Sequence, residues 1–260
     1  MVFYVVYRTS KECGGKGLIS KRLESLGCKR VCGSFWEISE RKINEVLRIV
    51  GENKAILLKR TREIRRPQYD DKGNIVELGS LVVLAYNPEN NGNAKIKWLL
   101  ARAPYIRLCR SVYAFPQNSG RYGRGDIFGL SNLITAIREH DKDAKVFSRM
   151  VVVNSSETMD FLVERVRLRI RRRAEKILDG YKSLMNAFLA GQIEKKQLIE
   201  KERRLYDEFK HLRRLAIYYE KWLKTDLVRE TMKVYSAMRK VKILRENQIC
   251  QKNIFEKKLI

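Results

Sequence analysis

Three clusters of cationic side chains carry most of the chemistry in this sequence, and the chemistry they suit is holding phosphate. The first is Lys59, Arg60, Arg62, Arg65 and Arg66. On a strand, Arg60, Arg62 and Arg66 share a face, a row able to follow successive phosphates. The competing reading is a cation-guarded edge strand that avoids aggregation. The second cluster, Arg121, Tyr122 and Arg124, sits among Gly120, Gly123 and Gly125. It offers guanidinium groups for phosphate and a ring for an unpaired base, against the plainer reading of a solvent loop. The third is the run Arg165, Arg167, Arg169, Arg171, Arg172, Arg173 with Lys176. On a helix, Arg165, Arg169, Arg172 and Arg173 lie nearest one stripe, and only Glu164 and Glu175 stand close enough to compensate. A later set, Lys201, Arg203, Arg204, Lys210, Arg213 and Arg214, is interleaved with Glu202, Asp207 and Glu208 and reads as i,i+4 pairing on a solvated face.

Other chemistries are poorly supplied. The histidines are His140 and His211, in unrelated contexts, so no Ser-His-Asp or Cys-His set can be assembled. Cys13, Cys28, Cys32, Cys109 and Cys250 are scattered, odd in number and without a CxxC pair. They read as reduced thiols of a cytoplasmic protein, not as zinc ligands or disulfides. The loop Gly14-Gly15-Lys16-Gly17 precedes a predicted helix, whose N-terminus could hold one phosphate, but no Gly-Lys-Ser/Thr follows. No cofactor and no metal site is expected.

Composition points the same way as the clusters. Lys and Arg total 55 against 30 Asp and Glu, a formal net charge of +25. Such an imbalance attracts polyanions, and each phosphate contact releases counterions. Hydrophobic residues make up 44%, enough for a packed core and too many for a disordered basic tail. No run of about 18 apolar residues exists to span a membrane. The N-terminus lacks the pattern of a signal peptide and reads as a strand.

The elements that position these residues fall into three parts. In the first, residues 2–7 read as a strand, 18–26 as a helix stopped by Gly27, 28–39 as a strand, 40–50 as a helix and 54–60 as a strand. The second repeats that βαβαβ order: strand 81–86, helix 94–102, strand 105–115, helix 127–139, strand 145–153. The middle strands match: Arg30-Val31-Cys32-Gly33-Ser34-Phe35-Trp36 lies over Arg107-Leu108-Cys109-Arg110-Ser111-Val112-Tyr113. The domains read as 1–66 and 81–154 for the two halves, 67–80 for a linker hairpin turning at Asp71-Lys72-Gly73-Asn74, and 155–260 for a basic helical region. There the seam Leu205, Phe209, Leu212, Ala216, Tyr219, Leu223, with Ile177, Tyr181, Leu184 and Phe188 upstream, predicts a helical hairpin or coiled coil bent near Gly191. Val166, Leu168 and Ile170 alternate as in a strand, but seven-residue spacing to Ile177 favours helix. Met232, Tyr235, Met238 and Val241 predict a further helix. Trp36, Tyr113, Trp98 and Phe128 fall on apolar periodic positions and are expected in the core.

The segment Gly27-Cys28-Lys29-Arg30-Val31-Cys32-Gly33-Ser34-Phe35-Trp36 resembles an element of the CRISPR adaptation nuclease-like family, the second Cas protein. The corresponding segment 107–116 is similar to the N-terminal domain of the chromate-resistance regulator ChrB and to a region of PaaX-type regulators. The resemblance covers residues 1–60 and 80–223, on short, degenerate motifs. It implies ferredoxin-like halves forming an intramolecular pseudo-dimer that pairs sheet to sheet. The nuclease-like family carries a metal-binding Asp at the end of its first strand. Here Arg8 follows Tyr7, and Asn87 follows Tyr86, which cannot supply paired carboxylates.

The expected fold is therefore α+β, with two ferredoxin-like βαβαβ halves followed by a C-terminal helical hairpin. The expected function is non-catalytic binding of DNA or RNA in the cytoplasm, through Lys59, Arg60, Arg62, Arg65, Arg66, Arg121, Tyr122, Arg124, Arg165, Arg169, Arg172, Arg173 and Lys176. Two alternatives stand beside it: an assembly factor that binds a protein partner or itself through the helical region, and a metal-dependent nuclease using Asp70, Asp71 or Asp126.

Overall fold

A computed structural model of the chain describes residues 2–8, 16–51, 53–86, 94–117, 130–153 and 156–243. It divides into two compact units, Met1–Val166 with Trp222–Lys224, and Arg167–Lys221 with Thr225–Ile260.

The first unit opens with β1 (Val2–Val6), α1 (Lys16–Ser25), β2 (Lys29–Cys32), β3 (Phe35–Ser39), α2 (Ile43–Val50) and β4 (Ile56–Arg60). A short hairpin, β5 (Gln68–Tyr69) and β6 (Ile75–Glu77), leads to β7 (Leu81–Ala85), α3 (Ala94–Arg102), β8 (Ile106–Cys109), β9 (Val112–Pro116), α4 (Leu130–His140) and β10 (Lys145–Val152). Each half is thus βαββαβ, not βαβαβ. The runs 28–39 and 105–115 are hairpins, each turned by two residues, Gly33-Ser34 and Arg110-Ser111. Apolar residues on both sides of so short a turn hide it from a periodicity reading.

The repeated motif is the hairpin's own support. Arg30 Nε donates to the Gly33 carbonyl at 3.2 Å and its guanidinium lies 5.6 Å from the Trp36 ring centroid. Arg107 does the same in the other half, donating to the Cys109 and Arg110 carbonyls and lying 5.7 Å from Tyr113. Tyr7 N–H donates to Ser34 O and Tyr86 N–H to Ser111 O, so each turn also ties down the end of the strand beside its hairpin. The motif's Arg, Ser and aromatic residue therefore hold a turn in place.

Eight strands form one antiparallel sheet in the order β2-β3-β1-β4-β10-β7-β9-β8. The two quartets have the same internal order and join edge to edge through β4 and β10, where Met150, Val151 and Val152 face Arg60, Lys59 and Leu58. The sequence pointed to two separate sheets packing together. Edge pairing instead satisfies the N–H and C=O groups that each quartet would leave open. The sheet also curls. The rings of Phe35 on β3 and Phe147 on β10 lie 5.5 Å apart, although three strand spacings separate them and a flat sheet would put roughly 14 Å there. Tyr4, Val6, Leu58, Leu81, Val83 and Ala114 are buried on this concave face. The opposite face packs on the helices: Phe3, Val5, Trp36 and Leu57 against Leu23, Val46 and Val50, and Leu84, Tyr113 and Phe115 against Ile96, Leu99, Leu133 and Ile137.

Strand β10 serves both quartets. Its start, Lys145–Phe147, pairs with β7, and its end pairs with β4. A bulge between Phe147 and Met150 interrupts the β7 pairing, which resumes at Met150 opposite Leu81, with Arg149 at φ +59°. The unit closes with α5 (Ser156–Leu189), whose Met159, Leu162, Val163 and Val166 are buried, and with Trp222, whose Nε1 donates to Leu78 O at 3.1 Å.

The second unit is helical. The rest of α5 faces α6 (Lys195–Leu223), burying Ile177, Tyr181 and Leu184 and, from α6, Phe209, Leu212, Ala216 and Tyr219. Gly191, at φ +68°, ends α5: its N–H donates to Phe188 O while Gln192 N–H donates to Ala187 O, the hydrogen-bond pair that closes many helices. Residues 165–170 are helix, and 232–243 form the further helix. Arg171 donates from Nε and Nη2 to both oxygens of Glu230, at 3.3 and 3.0 Å, bracing α5 against the turn Arg229–Thr231. Hydrogen bonding from Arg171 holds the Glu230 carboxyl below its ordinary value of 4.5. A depressed carboxylate stabilises the fold above the unfolded-state value and loses that contribution as pH falls through the folded one. Stability referable to this pair is therefore expected to be constant from neutrality to about pH 5 and to fall in more acidic solution. Thermal melts of wild type and E230Q across that range should converge on acidification; parallel curves would remove the pair from the pH response.

Candidate nucleic-acid interface

The first basic cluster is a strap pinned by its backbone. Strand β4 stops at Arg60, so the expected face-sharing row on a strand does not form. Thr61 N–H donates to Arg149 O at 2.9 Å, and its hydroxyl oxygen lies 3.1 Å from that carbonyl and 2.8 Å from Glu63 O. Further on, Arg65 N–H donates to Ser80 Oγ at 2.8 Å and Ser80 N–H returns to Arg65 O at 2.9 Å. Gly79, at φ +74°, lets the strap lie flat: a Cβ there would stand 2.8 Å from Pro67 N and 2.9 Å from Arg65 O. With the backbone held on both sides, the side chains of Arg60, Arg62, Arg65 and Arg66 are exposed. Arg65 remains 53% exposed although its Nη1 lies 3.6 Å from the Oε1 of Glu77, a carboxylate only 17% exposed. Lys59 points elsewhere, its ammonium 5.5 Å from the Phe3 ring on the helix-covered face.

Arg149 joins this strap and was not legible in the sequence, where it stands alone inside a strand-like run. Its N–H donates to Gln117 Oε1 at 2.6 Å and its Nη1 to Arg62 O at 2.8 Å. Non-glycine residues occupy left-handed backbone at a cost and persist there when the surroundings over-determine them. Here four hydrogen bonds at one residue do so, and they set the guanidinium among the strap's cations.

The helix run is split in role. Within the first unit, Arg165 lies 5.5 Å from the Phe161 ring, which also meets Lys54 at 4.6 Å. In the second unit, Arg169 Nη1 donates to Tyr219 OH at 2.6 Å and Arg173 is half-buried. Arg172 and Lys176 are exposed one turn apart on a shared stripe. Arg121, Tyr122 and Arg124 lie outside the described residues, as does Phe128. The later α6 cluster shows the expected local pairing, with Arg204 2.5 Å from Glu200.

The remaining candidates have structural roles. Asp70 accepts from Asn74 N–H at 2.6 Å and from Asn74 Nδ2 at 2.9 Å, bonds that close the β5–β6 turn and hold its carboxyl low. Asp126 lies outside the described residues. Burial pushes the Cys32 thiol up to about 12 and raises Cys28 and Cys109 as well, so all three are protonated, weak nucleophiles at neutral pH. Among the described residues no three His, Cys, Asp or Glu side chains are grouped as metal ligands, and no helix is long and apolar enough to cross a membrane. Trp36 and Tyr113 are buried as expected, whereas Trp98 is 57% exposed. Comparison with known protein families, with curated proteins and with solved structures finds no match to this chain.

Proposed function

We propose that this chain is a non-catalytic nucleic-acid-binding protein, built on two ferredoxin-like halves and led by phosphate contacts. The observation that carries the reading is the strap: Arg60, Arg62, Arg65, Arg66 and Arg149 gathered on a pinned backbone in a chain of net charge +25. A fixed cation array loses little freedom when phosphates arrive, and the released counterions drive association. The matching strand order of the two quartets, with helices on one face, supports the ferredoxin-like assignment. On this reading the helix stripe makes phosphate contacts of its own. Arg172 and Lys176 contribute more than Arg169, whose Nη1 is committed to Tyr219. The double exchange R172Q/K176Q is expected to lower the slope of log affinity against log salt by about two. An unchanged slope in filter-binding titrations removes α5 from the surface.

The nuclease reading is disfavoured by charge. Arg8 occupies the strand-end position where the resembled nucleases carry a carboxylate, and partial burial together with the adjacent Arg107 guanidinium lowers its pKa. Two neighbouring guanidinium groups repel a divalent cation. The assembly reading has one observation in its favour, an open groove of about 870 Å³ in the second unit whose lining mixes apolar side chains such as Ile199, Tyr235 and Met238 with the charged Glu202, Arg203 and Arg239. Electrophoretic binding to matched DNA and RNA across a salt series tests the main reading. A steep loss of affinity with salt is expected, and a protein complex that survives both nuclease and high salt would replace it with the assembly reading.

A further inference from the structure

Helix α3 presents an aromatic platform to solvent. Its buried side is Ile96, Leu99 and Leu100, continued by Ala103. At about 100° per residue, Trp98 projects opposite that side, consistent with its 57% exposure. Such a position is unusual for tryptophan, which is highly buried on average. The Arg102 guanidinium lies 3.5 Å from the Trp98 ring centroid, stacked on one face of the indole. The helical neighbours on its other flank include Ala94 and Ala101, whose side chains are single methyl groups, and more than half of the tryptophan is exposed. The helix also carries Lys95 and Lys97 and contains no Asp or Glu.

A flat π-face backed by a stacked guanidinium, with the exposed Lys97 beside it, matches the chemistry of a nucleotide: base against ring, phosphate against cation. Stacking of this kind needs a base that is not already sandwiched in a duplex. We propose that Trp98 is a stacking platform for an unpaired base, so that the nucleic acid recognised carries single-stranded nucleotides. This inference rests on the nucleic-acid-binding reading above and narrows its substrate class.

The chain provides its own reporter. Of its three tryptophans, Trp36 and Trp222 are 0% and 6% exposed, which leaves Trp98 to dominate the solvent-quenchable emission. The full chain would be titrated with an oligouridylate and, separately, with a blunt-ended, fully paired RNA duplex of the same length. Oligouridylate is expected to quench the exposed emission and to protect it from acrylamide. W98A is expected to weaken oligouridylate binding about tenfold, with W98F intermediate, while duplex affinity and the salt slope stay unchanged. Because the side chain is exposed, both variants should melt like wild type, and any that does not is replaced by A101E, which sets an acid beside the platform and should weaken the same binding. Equal oligouridylate affinity in wild type, W98A and W98F overturns the platform while leaving phosphate-led binding intact. Failure of the wild-type chain to bind either RNA or a duplex DNA overturns both.

Discussion

Exchanging Arg62, Arg65 and Arg66 for glutamine together flattens the salt dependence of nucleic-acid binding by about three units of slope. The three guanidinium groups are exposed on a backbone fixed by Thr61, Ser80 and Arg149, so each is placed to meet a phosphate without prior ordering. Each phosphate contact contributes a slope of about 0.9 on duplex DNA and about 0.7 on a single strand. Raising salt fourfold should therefore weaken wild-type binding to duplex DNA by about 40-fold more than it weakens the triple variant. Stability should change little. Surface substitutions of this kind stay within about 0.5 kcal/mol, and the largest share of any loss is expected from R65Q, which removes the long 3.6 Å partner of the mostly covered Glu77 carboxylate. Titrations at four salt concentrations, with a thermal melt of each protein, separate the two quantities. If the slopes are the same, the strap makes no phosphate contact, and the central observation for the proposed function loses its meaning.

Alanine at Gly79 is expected to do the opposite, unseating the strap without touching a charge. Gly79 has φ +74°, where any Cβ is strained, and the added atom would stand 2.8–2.9 Å from Pro67 N, Arg65 O and Arg66 C. None of these is the end of a flexible side chain, so the segment itself must move. The combined cost is about 2–4 kcal/mol, seen as a fall in Tm of about 5–15 °C. Gly73 is the matched control. It too has positive φ, +81°, but nothing lies within 4 Å of its Cβ position. G73A should therefore cost only the backbone preference, about 1–2 kcal/mol. The excess loss in G79A measures the contact with the strap, and it should be accompanied by weakened binding although every arginine is retained. Melts that coincide for G79A and G73A would show that the strap yields freely and is not preorganised.

How far these features could be read beforehand depended on their range in sequence. Continuous β-rich apolar runs over residues 2–7 and 81–86, and three-four spacing from Ile177 to Phe188 and from Leu205 to Leu223, are local properties of the chain, so the strands, the helical hairpin and its bend at Gly191 were legible. The internal repeat was visible as a motif but not as a device. Only the folded hairpins show Arg30 and Arg107 tying their own turns and lying over Trp36 and Tyr113. Trp98 misled, because a tryptophan three residues before Ala101 and two after Ile96 looks periodic in either direction. Which side of α3 meets the sheet is decided by packing against α4 and the strands.

Composition and local periodicity thus determined the charge and the kinds of element present: a net charge of +25, two similar α/β halves and a basic helical tail. Those are sums over residues or patterns within a dozen of them. Tertiary structure alone decided how the halves join and where the cations gather, because both depend on pairings across long stretches of chain. The bulge at Arg149 sets its carbonyl against Thr61 and its guanidinium against Arg62, 88 and 87 residues away. Burial of the sheet's open edge drives that approach, and no property of either segment by itself encodes it.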